Sequence, residues 1–441
     1  MMRTDTPDKK TLKKATWRTY LSALLLDLLA LAANQLAVRS SAFANAYSHY
    51  VYRVLSLGIG SVTGLLPFSV VELLLYATIL FVLFDFGKQL RRAIRAGVDY
   101  MQSARVAQAS CTHAEASTNS KNVASSTESQ KPAGVARPTH LVTAVARPLC
   151  HFLGHLFLIL STLLVLYVFL CGINYHRTSF SEEAGLSVTI DAHGTVYDEA
   201  DLIALCEYLV TEINDTETQL EGACIGQTAE TPKPSAAWLW HAGRTGQRAM
   251  EKLGQRYHRL SGHYPFPKPI LNTWILSVQQ TTGVYSPFTV EANYNRDIAY
   301  YDIPFTICHE LSHLRGYMQE EEANFIGVLA TIGADDLYFN YSGYVSAWVY
   351  AGNALARIDS TAFATLYARI NARTRQDMLY NNAYWQQFEG KPAEAHDQLN
   401  DAYLKLQGQA SGVRSYGHVT DLMLEYFAKN GTLTQSQGLK N

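Results

Sequence analysis

The sequence predicts an α-helical membrane anchor followed by an α+β, mostly helical domain. Two observations carry that prediction. Long apolar runs crowd the first 173 of the 441 residues, and past residue 305 the chain reads as helix around an H-E-x-x-H segment. Hydrophobic residues make up 48% and charged residues 17%, against about 25% charge in average soluble chains. A plain soluble enzyme and a wholly disordered chain are thereby excluded. The formal net charge of -2 argues against a nucleic-acid binder, which needs a strongly basic domain. Six cysteines are too few for a disulfide scaffold.

Three segments are long enough to span a bilayer, which takes about 20 mostly apolar residues. Residues 21–38 (LSALLLDLLALAANQLAV) include Asp27 and Asn34; residues 66–85 read LPFSVVELLLYATILFVLFD; residues 152–173 (FLGHLFLILSTLLVLYVFLCGI) hold no Asp, Glu, Lys or Arg. Lys and Arg crowd the first 18 residues and the stretch between spans two and three, whereas only Arg39 and Arg53 separate spans one and two. Positive residues stay inside. Residues 1–20 and the second connection are therefore expected in the cytoplasm, and residues 174–441 outside a bacterial cytoplasmic membrane. A rival reading makes the start a cleavable signal peptide ending at Ala42-Phe43-Ala44 or Ala44-Asn45-Ala46. It leaves the C-terminal domain outside as well.

Within the membrane region of residues 21–173, the Ser-, Ala-, Thr- and Asn-rich stretch 96–147 is expected to be a disordered cytoplasmic loop. AFANAYSHYVYRVLSLGIG, after span one, reads either as an interfacial amphipathic helix or as a segment packed on the outer domain. Glu72, near the outer end of span two, is a carboxylate at membrane depth. Such a group marks a functional site by default, or it reaches the headgroups.

The sharpest motif is Cys308-His309-Glu310-Leu311-Ser312-His313. Residues four apart share one helix face, so His309 and His313 can present their imidazoles to one cation. Glu310 then lies beside the place of an activated water, where a carboxylate base is needed. Gly316 marks a helix stop and Pro304 a helix start. Glu320-Glu321-Glu322-Ala323-Asn324 opens a second helix. A catalytic zinc takes three protein ligands and keeps one position open. Glu320 is the expected third ligand and Glu321 its fallback, while Asn324, four residues on, can orient a ligating His. The alternative is that the three acids only complement the helix dipole. Charges at Arg315 and Glu320–Glu322 exclude this helix from the lipid.

Upstream, residues 269–279 (PILNTWILSVQ) read as a strand. Residues 288–295 are the candidate edge strand for an extended peptide substrate, through Thr289, Glu291 and Asn293; an ordinary loop is the other reading. Cys308 reads as core. Cys206 and Cys224 could pair in an oxidising space.

Several runs resemble an uncharacterised bacterial membrane family, the domain of unknown function numbered 3810. They are PFSVVELL (67–74), GINYHRTSF (172–180), SPFTVEANYN (286–295), IPFTICHELSHLRGYMQEEEANFIGVLA (303–330), YSGYVSAWVY (341–350) and NDAYLKLQGQASGVRSYGHVTDLMLEYF (400–427). The resemblance implies a zincin-type, zinc-dependent peptidase domain with His309, His313 and Glu320 as ligands and Glu310 as base. It also draws attention to Tyr416 and His418, either of which could stabilise an oxyanion; the plainer reading is a Tyr packed on the preceding helix. The expected activity is hydrolysis of peptide bonds of an envelope substrate, with one zinc ion as cofactor; Mn, Co or Fe could replace it. The expected surroundings are membrane lipids and a peptide or protein substrate, without nucleic acid. The alternative from another class is a catalytically inactive, metal-containing binding or sensing protein. A transporter, with three spans and few buried polar residues, is the weakest reading.

Overall fold

A computed structural model describes residues 9–118, 138–186, 197–223, 234–406 and 417–434. The chain divides into two compact units, residues 1–31 with 74–165, and residues 32–73 with 166–441. The second unit therefore takes in the connection between the first two spans as well as the C-terminal domain.

The helices of the first part of the chain are α1 (Lys9–Arg39), α2 (Ser41–Ala46), α3 (Arg53–Thr63), α4 (Val70–Thr118) and α5 (Pro138–Leu170), with a π-helical turn at Tyr47–Tyr52 joining α2 to α3. Three helices are long and apolar enough to cross a membrane, within Thr16–Arg39, Val70–Val106 and Leu141–His176. Their Leu, Val and Phe side chains are broadly exposed, among them Leu25, Leu80 and Leu153, as expected where lipid rather than protein covers a helix. The second span begins at Val70, not at 66. Within the stretch 96–147 expected to be disordered, residues 96–118 and 138–147 are helical: α4 continues to Thr118 and α5 starts at Pro138. Ala, Arg, Gln and Met are strong helix formers, and they make up ten of the seventeen residues 93–109. Residues 119–137 lie outside the described residues.

The second unit continues with α6 (Phe180–Glu183), α7 (Glu199–Gly222), α8 (Ala236–Arg256), β1 (Lys268–Pro269), α9 (Trp274–Ser277), β2 (Gly283–Ser286), β3 (Glu291–Tyr294), α10 (Asp302–His313) and α11 (Glu320–Ile332). It closes with α12 (Leu337–Ile358), α13 (Ser360–Arg369), α14 (Ala372–Gln386), α15 (Lys391–Leu406) and α16 (His418–Asn430). α10 and α11 form the centre, with α8, α12 and α16 around them and α7 packed on α12. Eleven of the thirteen residues of α11 are buried. Gly246 lets α8 come so close to α10 that a Cβ there would meet Ile307 at 2.4 Å. Cys308 and Cys206 are both fully buried and free, and Cys224 lies outside the described residues.

The sheet has three strands in the order β1-β3-β2, with β1 parallel and β2 antiparallel to β3. Two expectations are corrected here. Residues 269–279 are not a strand, because the chain leaves β1 after Pro269 and turns helical at Trp274–Ser277. A short apolar run does not by itself distinguish strand from helix. Nor do Thr289, Glu291 and Asn293 lie on an edge strand. Glu291 and Asn293 are on the central strand β3, and all three side chains are at most 3% exposed.

Glu291 has another task. Its carboxylate is ion-paired to Lys268, and both side chains are 1% exposed. It also accepts the backbone N–H groups of Val70 (3.1 Å) and Val71 (2.9 Å) in the first turn of α4. Lys268 Nζ donates onward to the carbonyl of Thr63. Glu72 completes this anchor by accepting the N–H groups of Leu271 (2.8 Å) and Asn272 (2.9 Å). The carboxylate that the sequence singled out at membrane depth thus ties the root of α4 to the β1–α9 turn. The segment after span one is packed on the domain, with Tyr47 and Tyr52 buried. Replacing Glu291 with Gln strands the Lys268 charge in a dry interior, which costs about 3–5 kcal/mol. The expected outcome is a clearly lower denaturation midpoint of the detergent-solubilised protein; an unchanged midpoint would show the pair to be dispensable.

Candidate metal centre

α10 is fixed at both ends. At its start the first-turn N–H of Phe305 donates to Ser342 Oγ of α12 at 3.1 Å, and Ser342 in turn donates to the carbonyl of Tyr301. At its end the chain passes through Gly316 with φ +82°, a left-handed backbone that suits glycine. That turn carries the chain to Gln319, which precedes α11. One turn of α10 separates His309 from His313, and the reversal sets Glu320 opposite both.

The three side chains converge. His309 Nε2 and His313 Nε2 are 3.2 Å apart, Glu320 Oε2 is 3.3 Å from His309 Nε2, and Glu320 Oε1 is 3.9 Å from His313 Nε2. Ligand atoms about 2.0–2.1 Å from a tetrahedral cation are roughly 3.3–3.4 Å from one another, so this donor set has the spacing such an ion requires. His313 Nδ1 donates to the carbonyl of Tyr317 at 2.6 Å, which leaves Nε2 with its lone pair facing the cluster. Asn324, one turn into α11, is a hydrogen-bonding neighbour of His309. The histidine side chains are 12% and 7% exposed and that of Glu320 is 32%, so the cluster opens toward solvent on the Glu320 side.

Burial would lower His309, but the hydrogen bond and charge of Glu320 outweigh it and raise the ring to about 8. Burial would raise Glu320, but His309 draws it down to about 2. Burial prevails at His313, which is lowered to about 4. Glu310 is 4% exposed and its Oε2 has no hydrogen-bond partner among the described residues. Burial pushes its carboxyl up to about 8; His309 pulls against that shift and Glu320 adds to it. A dry carboxylate with one free oxygen, adjoining three convergent donors, is suited to accepting and returning a proton near neutral pH.

The three acids of α11 go separate ways. Glu320 faces the histidines. Glu322 accepts Ser181 N–H (3.0 Å) and Ser181 Oγ (2.9 Å). Glu321, the fallback ligand, is outside the convergent group and interacts with His418. His418 starts α16 and acts electrostatically on Glu321 and Asp421; none of its described interactions reaches His309, His313 or Glu320. Tyr416 lies outside the described residues. Sequence reasoning missed two positioning groups. The Tyr317 carbonyl is backbone and leaves no residue-type signal. Gly283 of β2 permits contact with Glu310, since a Cβ there would lie 2.5 Å from Glu310 Oε1 and 2.7 Å from Thr306 Cγ2.

A family model described as "Protein of unknown function (DUF3810)" matches residues 137–424, more than half of the chain. The chain belongs to this family. The matched span contains α10, α11 and the whole convergent group; residues 67–74, which also bear the resemblance, precede it. No curated protein and no solved structure matches the chain.

Replacing Gly283 with Ala should overpack the Glu310 side of the site and cost about 1–3 kcal/mol. The measurement is the denaturation midpoint against wild type, and an equal midpoint would mean that β2 recedes freely.

Proposed function

We propose that the C-terminal domain is a metal-dependent hydrolase of the zincin type, acting on peptide bonds of a substrate in the cell envelope. The observation that carries this reading is the 3.2–3.9 Å convergence of His309, His313 and Glu320 with an unpartnered Glu310 oxygen on the same helix. Two imidazoles and one carboxylate form the donor set of a catalytic zinc with one open position. When bound, such a cation supplies Lewis acidity and makes water more acidic. Glu310 would accept a proton from an attacking water at a carboxylate oxygen and return it to the leaving amine. His313 is held in the ligating tautomer by the Tyr317 carbonyl, and Asn324 steadies His309.

The substrate platform is β2 rather than residues 288–295. It is one of the two edge strands of the sheet, its Val284 is exposed, and its Gly283 adjoins Glu310. An extended peptide added along a sheet edge is bound by backbone hydrogen bonds and here would run past the base. The orientation drawn from the Lys and Arg distribution puts this domain outside the cytoplasmic membrane, where such a substrate is met.

Two outcomes test the reading. Elemental analysis of the full-length protein in detergent should find about one zinc per chain in wild type and in Glu310→Gln. His313→Ala should lose it, and Asn324→Ala should bind it about 10–100-fold more weakly. With zinc bound, wild type should cleave a quenched mixed-sequence peptide library, and Glu310→Gln should be slower by about 10²–10⁴-fold. Equal metal in His313→Ala refutes the centre. Equal cleavage by Glu310→Gln refutes the mechanism and favours a binding protein.

A further inference from the structure

Beside the α10 C-terminus lies a small, partly open pocket lined by Arg53, Arg177, Arg259 and Arg315, with Ser48 and Ser56 among its other walls. Arg177 comes from the GINYHRTSF run, which the hydrolase reading leaves without a role. Part of this cluster is plain structure. Arg177 Nη1 donates to the carbonyl of Arg315 (2.8 Å), Arg315 Nη2 to that of His263 (2.5 Å), and Arg53 Nη2 to the carbonyl and hydroxyl of Ser261 (both 3.2 Å). Basic groups suit the end of a helix, where carbonyls are free. The guanidinium of Arg315 also stacks on Tyr264, and that of Arg177 on Tyr317.

These contacts leave the charge only partly compensated. Among the described residues one carboxylate, Glu183, pairs with Arg177 (3.0 Å) and Arg259 (2.5 Å), and none pairs with Arg53 or Arg315. Arg177 and Arg315 are 8% and 6% exposed, and the Nε of each is buried without a partner among the described residues. The outer nitrogens of Arg315 and Arg53 lie within 3.5 Å of the Cβ position of Gly262, so both heads flank the same turn. Buried like charges without counter-charge are costly. An anion with several acceptor oxygens relieves that cost, and guanidinium forks match phosphate geometry.

We propose that this cavity binds a phosphate group, either free or carried on a phospholipid. Arg53 and both serines belong to the connection between the first two candidate spans, which brings a lipid headgroup within reach as a source. Binding would also bear on α10, because Arg315 follows it directly and Tyr52, also in the wall, donates to the carbonyl of His313 at 3.0 Å.

The test uses the full-length protein and does not depend on hydrolase activity. Its thermal denaturation is followed in detergent with inorganic phosphate against chloride at equal ionic strength. Lipid retention is read by native mass spectrometry from nanodiscs of phosphatidylglycerol against phosphatidylcholine. Arg53→Gln and Arg259→Gln replace partly exposed wall residues, and Arg369→Gln, on a distant surface, controls for net charge. Phosphate is expected to raise the denaturation midpoint, or phosphatidylglycerol to be retained preferentially. Each wall variant should weaken the effect about tenfold while the control leaves it intact. A response to phosphate alone assigns the free anion; selective retention of phosphatidylglycerol assigns the lipid. No response to either probe overturns the proposal, as does equal weakening by Arg369→Gln. Arg53→Lys, which keeps the charge, should retain part of the binding and so separates loss of the site from loss of fold.

Discussion

The candidate centre depends on one packing constraint: α10 and α11 are joined by a reversal of six residues and buried against each other. His309 and His313 are one turn apart on any helix. Glu320 meets them only because Gly316 accepts a positive φ and because Tyr317 turns its carbonyl back to His313. α12 holds the other end through Ser342. The geometry of three polar side chains is therefore set by apolar burial and backbone hydrogen bonds around them. The cost of desolvating them is borne by a core in which α11 is almost wholly enclosed.

Much of this was legible in the sequence because it is local. Helical spacing puts His309 and His313 on one face, Gly316 announces a stop, and Glu320 with Asn324 repeats the four-residue spacing on the next helix. The three spans were legible because length and apolar content decide them. The central position of β3 was not, since strand order depends on partners at 268 and 283 that residue types on β3 do not name. Glu291 and Glu72 look chemical in isolation, and only long-range backbone partners show them to be anchors. The helix over 96–118 was missed because a polar, Ala-rich stretch satisfies both a disordered composition and a high helix propensity. The strand expected at 269–279 failed because six apolar residues among polar ones fit a short helix as well.

The two sides of α10 place different demands on charge. On the cluster side, histidines and carboxylates offset one another across a few ångströms. On the other side, guanidinium groups gather with too little negative charge, held by carbonyls and by the faces of Tyr264 and Tyr317. A single helix end separates the two, and Tyr52 touches both, lining the arginine cavity while its hydroxyl serves the His313 carbonyl.

The buried tyrosine of the first connection has a consequence for biogenesis. Tyr52 leaves the ribosome 261 residues before the carbonyl it serves, and Thr63 226 residues before the Thr289 carbonyl that accepts its hydroxyl. Contacts so distant along the chain form late and slowly. During synthesis the polar edges of residues 47–63 must therefore wait beside the emerging spans without their final partners. A chain shortened to residues 174–441 would never supply those partners at all, so these contacts form only when the connection after the first span meets residues 289–313.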